Sequence, residues 1–177
     1  MKASWLSRTM VGLTVLSSAA AASAGAGGQQ PFHAVVDVGE SFIPTSTPGV
    51  FGVVLGGDGV GTHLGRLTFA ATETIDFGQF FRPDLFPSPR ALVTAGELTI
   101  TAANGDQLTA MYDGYGVPDP SRPGFFNGYA IATLTGGTGR FGCASGTVPF
   151  TLDINSAALT EVITFDGAAS LFCKGHP

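Results

Sequence analysis

In the run Leu67 to Ile75, the apolar residues Leu67, Phe69, Ala71 and Ile75 alternate with threonines and Ala70, and Glu73 falls on their face by the period of two that a β-strand imposes. A carboxyl group in such company is desolvated, which raises its pKa and suits it to proton transfer or to orienting a polar group of a ligand. The plainer alternative, and the preferred one from residue types alone, is a strand-end acid that reaches solvent or pairs with Arg66 or Arg140. Tyr112 shares a face with Leu108 and Ala110, so its hydroxyl points either into an interior cavity or at a structural partner in the core. Glu73 and Tyr112 are therefore the candidate catalytic residues.

Other constellations carry less. The histidines are His33, His63 and His176, and none has a nucleophile or carboxylate at a diagnostic spacing. His33 and Asp37 project to one face of a strand, a weak metal pair, and the segment Gly56 to Gly61 has one acid where a calcium loop needs several oxygen donors. There is no G-x-S-x-G elbow, no H-E-x-x-H and no N-x-S/T acceptor. Neither a cofactor nor a metal ion is expected.

Gly137-Thr138-Gly139-Arg140-Phe141-Gly142 formally matches the dinucleotide fingerprint G-x-G-x-x-G. That fingerprint needs a strand before it and a helix after it, whose N-terminus meets the pyrophosphate. Tyr129 to Thr135 supplies the strand, but Gly146 and Pro149 fall where the helix interior would be, and both disfavour a helix. Glu161 lies about where a ribose-binding acid would be, yet in what reads as a strand. The glycines Gly136, Gly137 and Gly139 are better read as positions where the backbone bends sharply between two strands, with Arg140 locking the turn by bonding carbonyls or a carboxylate.

The elements that must position these residues are strands. Short runs of apolar and β-branched residues, broken by Gly, Pro, Asn and Asp, cover His33 to Val38, Val50 to Gly56, Thr62 to Phe77, Ala91 to Ala103, Gln107 to Asp113, Phe126 to Thr135, Gly146 to Ile154 and Thr160 to Phe172. No segment of helical length shows a 3.6-residue apolar stripe. Asn104-Gly105 predicts a two-residue type I′ hairpin turn, and Asp58-Gly59 a second turn within the glycine run. Asp113 to Gly124 and Arg82 to Pro89 read as exposed loops, the latter carrying Leu85 and Phe86. The order predicts an antiparallel meander, and closing it into a barrel would remove its edges.

The chain's N-terminal part bounds the compartment. Lys2 and Arg8 precede the uncharged run Thr9 to Ala22, and Ala22-Ser23-Ala24 has the small-residue pattern of a cleavage site. Residues 1–24 are read as a secretory signal peptide, 25–32 as a flexible leader and 33–177 as one domain, periplasmic or secreted and without a membrane anchor. Without the signal, six basic side chains face thirteen acidic ones, a net charge of −7 with histidines neutral. Such a surface repels phosphate backbones, so nucleic acid is not an expected partner. Cys143 and Cys173, in an oxidising compartment, are expected to pair in a disulfide that closes a loop of about thirty residues.

The segments Gly61 to Phe69 (GTHLGRLTF), Ala103 to Leu108 (ANGDQL) and Thr135 to Phe141 (TGGTGRF), followed by Ser145-Gly146-Thr147, resemble the pattern of the allene oxide cyclase-like barrel superfamily, which includes the plant dirigent proteins and exported bacterial proteins. The resemblance spans about Gly49 to Gly167. It implies an all-β fold, a single antiparallel eight-stranded β-barrel of calycin type with a central cavity, the glycine motif forming a tight turn with a single helical turn at one end. It also implies homo-oligomers. Cys143 and the proline-rich loops at 82–90 and 117–123 depart from the family pattern.

Two functions follow as expectations. One is an exported barrel that binds a small apolar molecule or serves as a stable scaffold. The other, implied by the resemblance, is a cyclase, isomerase or dirigent-like protein that templates a reactive apolar intermediate, with Glu73 or Tyr112 as the polar handle. A barrel filled by its own side chains would argue against both, and the chain has fourteen phenylalanines to do it.

Overall fold

The structure, a computed structural model, describes residues 28–78, 80, 82, 84–86 and 88–173. The signal peptide at 1–24, the start of the leader and His176 lie outside the described residues. Eight strands follow one another around a closed antiparallel barrel: β1 (Gln30–Pro44), β2 (Val50–Gly61), β3 (Gly65–Asp76), β4 (Ala91–Ala102), β5 (Gln107–Pro118), β6 (Phe125–Gly137), β7 (Gly146–Asn155) and β8 (Thr160–Ala169). Each strand pairs with its neighbours in sequence, and β1 pairs with β8 to close the ring. The predicted fold class is the observed one.

Alternation dictates the interior. Phe32, Ala34, Val36 and Val38 of β1, Leu67, Phe69 and Ala71 of β3, and Ile163 and Phe165 of β8 are buried, while their neighbours in sequence face outward or lie half-exposed. The rings of Phe32 and Phe165 meet edge to face with centroids 5.9 Å apart, and Phe150 lies 4.8 Å from Phe165. This aromatic cluster fills one half of the barrel.

That half is also sealed. Its end carries the β2–β3, β4–β5 and β6–β7 connections, with Leu64, Phe141 and Leu171 buried beneath them. Gly139–Phe141 forms a single 3₁₀ turn. The disulfide Cys143–Cys173 ties the segment after that turn to the segment that follows β8, beside an isolated bridge between Ser145 and Ser170. The opposite end carries the connections 45–49, 77–90 and 119–124, together with the turn 156–159.

Several boundaries differ from expectation. β1 starts at Gln30 rather than His33, taking Pro31 and the buried Phe32 from the presumed leader, and it continues past Val38 to Pro44. The glycine run Gly56 to Gly61 is not a turn but the second half of β2, paired with both β1 and β3. Its composition has a steric cause: a Cβ on Gly57 would stand 2.0 Å from the carbonyl oxygen of Asp37, and one on Gly59 2.2 Å from that of Val35. Glycine lets the barrel curl tightly there. The chain instead reverses over Thr62, His63 and Leu64, with His63 at positive φ, so β3 begins at Gly65.

Two further turns are corrected. At Asn104-Gly105 only Gly105 has positive φ, and its N–H donates to the Ala102 carbonyl, so the hairpin has a longer loop than a type I′ turn gives. Asn104 and Asp106 bond each other across it, which stabilises that geometry. β5 also continues through Gly114 and Gly116 to Pro118, which shortens the loop predicted from Asp113 to Gly124. Arg122 clasps what remains of it, bonding Asp119 at 2.7 Å and Asp153 of β7 at 2.8 Å.

Candidate functional site

The half of the barrel toward the 77–90 connection is hollow. A cavity of about 120 Å³ lies there, walled mostly by apolar groups that include Phe42, Ile75, Phe126, Phe150 and Leu152. Into it project Glu40 from β1, Glu73 from β3, Tyr112 from β5 and Glu161 from β8.

Glu73 and Tyr112, singled out from the sequence, are brought together: the Tyr112 hydroxyl donates to Oε2 of Glu73 at 2.7 Å. A local irregularity of β4 makes this reach feasible. Thr72 pairs with Glu97 and Thr74 with Thr94, so Ala95 and Gly96 bulge opposite Glu73. Ala95 takes a positive φ of 52°, and its N–H is held by the Asp113 carboxylate. Gly96 is the partner of Tyr112 on β5, and a Cβ there would stand 2.6 Å from the ring. The bare backbone of Gly96 seats the ring across β4, with the hydroxyl aimed at β3.

Neither cation considered for Glu73 pairs with it. Arg66 stands on the outward face near the start of β3. Arg140 is at the sealed end, where it donates to the His63 carbonyl, lies 3.7 Å from the Asp106 carboxylate and covers the Phe141 ring. It thereby joins the three turns of that end. Gly139 (φ 54°) and Gly137 leave room for this closure, since a Cβ would strike the Asp106 side chain or the Gln107 carbonyl, and Gly136 takes a φ of 121°. The glycine segment is thus remote from the cavity. His33 lies 3.9 Å from Asp166 on the outer surface, across the β1–β8 pair.

Glu40 and Glu161 were not among the candidates. Each leaves Oε1 buried without a hydrogen-bond partner among the described residues, a costly state for a carboxyl group. Both lay within reach of the alternation argument. Glu40 continues the Phe32-Ala34-Val36-Val38 face, two residues beyond the Val38 at which the apolar pattern in the sequence stops. Glu161 shares the face of Ile163 and Phe165.

Burial shapes the electrostatics. It pushes the Glu40 carboxyl up to about 7, with the nearby Glu73 charge adding to the effect. Burial likewise raises Glu161 well above the ordinary carboxylate range, with Glu40 and Glu73 contributing, and it raises Glu73 against the opposing hydrogen bond from Tyr112. Desolvation and the Glu73 charge push the Tyr112 phenol up, so it remains a donor. The result is three carboxyl groups around one apolar hollow, each holding its proton more tightly than an exposed carboxyl group does and able to accept hydrogen bonds from a guest. No group of three or more His, Cys, Asp or Glu among the described residues is arranged to hold a metal ion. No helix among them is long and apolar enough to cross a membrane.

No protein-family model, curated protein or solved structure matches the chain.

Proposed function

We propose that this protein is an exported barrel that binds a small, mainly apolar molecule in the hollow half, with the carboxyl groups orienting a polar group of the guest. The observation that carries this reading is the pairing of an apolar cavity with buried carboxyl oxygens, on Glu40 and Glu161, that have no partner among the described residues. The filled, disulfide-tied end supports it by giving the cavity walls a rigid base. The eight-stranded barrel and the 3₁₀ turn at one end support kinship with the allene oxide cyclase-like barrels, which stands as part of this proposal. The disulfide is compatible with export.

Native mass spectrometry of the protein purified from the exported compartment, followed by organic extraction, tests the reading. One adduct per barrel is expected, lost in Gly116→Leu. Gly116 lines the cavity and a Cβ there meets only Ile154 at 3.8 Å, so the added side chain fills the hollow. A barrel that emerges empty and takes up no hydrophobic dye would leave a scaffold role instead.

A cyclase or isomerase is the second reading, favoured by the Tyr112–Glu73 hydrogen bond and by a Glu40 carboxyl at about 7, where a general acid–base group is most effective. Incubating the extracted molecule with fresh protein in deuterated water tests it. Deuterium incorporation that disappears in Glu40→Gln and Glu73→Gln supports proton transfer; a guest that stays bound and unlabelled rules it out.

A further inference from the structure

We propose that the cavity selects a small organic amine, whose ammonium group is held among Glu40, Glu73 and Glu161 while its hydrocarbon part lies against the aromatic wall. The inference rests on the binding reading above and narrows it to a ligand class.

Glu161 is the observation that points to a ligand. It is only 5% exposed, it lines the cavity, and its Oε1 has no partner among the described residues. Glu40 repeats the pattern from the neighbouring strand. Glu73 differs in having one oxygen occupied by Tyr112. The acceptors around the hollow thus outnumber the donors that the protein supplies to them. Where the carboxyl groups are ionised, an anion would be repelled, and a neutral hydrocarbon would leave the acceptors unmet. A primary ammonium brings three N–H donors and a positive charge, and it can bond to several carboxylates at once. Phe42, Phe77, Phe126 and Phe150 add aromatic faces or edges to the same wall, a surface that suits the hydrocarbon part and whose faces attract cations.

Size limits the guest. An apolar cavity of about 150 Å³ accommodates benzene, so a hollow of about 120 Å³ suits a single small ring or a short branched chain. Charge selects it further. The titratable groups that face the hollow are Glu40 from β1, Glu73 from β3, Tyr112 and Tyr115 from β5 and Glu161 from β8; β2, β4, β6 and β7 present none there. The cation close by, Arg90, lies over the rings of Phe86 and Tyr115, and its Nε is buried without a hydrogen-bond partner among the described residues.

Isothermal titration calorimetry on the mature protein, with benzylamine and cyclohexylamine against benzyl alcohol and cyclohexanol, tests the inference. At pH 8 each amine is expected to bind at least about tenfold more tightly than its alcohol, the scale of one charge-assisted hydrogen bond. The preference should shrink at pH 5.5, below the value of about 7 at which Glu40 takes up its proton. Glu161→Gln should weaken the amines by about tenfold and leave the alcohols unchanged, the alcohols showing that the variant cavity is intact. Alcohols that match the amines at pH 8 would overturn the amine inference while leaving a binding cavity. Amines that bind equally well in Glu161→Gln and Glu40→Gln would also overturn it. If neither set binds and hydrophobic dye is excluded as well, the amine inference and the binding reading fall together.

Discussion

In the sealed half of the barrel the inward positions hold Val36 on β1, Phe69 on β3 and Phe165 on β8, all buried. Four residues further toward the other end, on the same faces of the same strands, stand Glu40, Glu73 and Glu161. β1, β3 and β8 run on from one half to the other, so along these strands the contrast is one of side chains. Apolar groups at these positions pack against one another and stabilise the fold, whereas carboxyl groups there repel one another and lose hydration. One half therefore supplies stability that the other gives up, a division expected where a site has to be kept open for a guest.

The contrast can be broken most severely from the sealed side. Phe165→Ala should cost about 3–5 kcal/mol, read from denaturant unfolding, whereas Phe126→Ala at the cavity wall should cost about 1 kcal/mol and enlarge the hollow. Equal losses would mean that the two halves contribute alike. Replacing both cysteines by serine should lower stability by about 2–4 kcal/mol, while ligand affinity in the far half stays unchanged. Gly96→Ala should cost about 1–3 kcal/mol by overpacking against Tyr112. It should also shift the Tyr112 ring resonances, because the hydroxyl can no longer settle against Glu73.

The smallest effect concerns pH and runs opposite to that of ordinary paired acids. A folded-state carboxyl held at about 7 binds its proton more tightly than in the unfolded chain, whose value is near 4.5. Stability therefore declines as pH rises from about 4.5 to about 7. The melting temperature should be higher at pH 5 than at pH 7.5, and Glu40→Gln should flatten the profile and gain about 1 kcal/mol at pH 8, discounted for partial exposure. Asp84, held low by Arg82, and Asp119, held low by Ser121 and Arg122, respond only in stronger acid. A profile that stays flat from pH 5 to 7.5 would show that the carboxyl groups of the hollow are hydrated and ordinary.

Strand content was legible because alternation and β-branched residues mark each element directly, and all eight runs correspond to observed strands. The hidden features were those where glycine has two meanings. Gly57 and Gly59 look like turn residues in the sequence but are strand residues that allow close backbone approach. Gly96 gives no local sign that it seats a tyrosine ring from the next strand. The site was half legible for a related reason. Glu73 and Tyr112 stand out within well-marked runs, whereas Glu40 was lost by ending β1 too early. That Glu40, Glu73 and Glu161 share one hollow depends on the β1–β8 pairing and on strand order, which no local pattern contains.

Ring closure also sets a schedule. β1 is bonded to β2 on one side and to β8 on the other, with Gln30 opposite Ala169, so the first strand to be synthesised waits for the last. Such pairings of high sequence separation place folding among the slower topologies, and until β8 emerges the free edge of β1 can pair with another chain. Glu40 and Glu161 become neighbours only at that final step. A truncated chain lacking β8 would therefore lose the hollow entirely while keeping most of its hairpins.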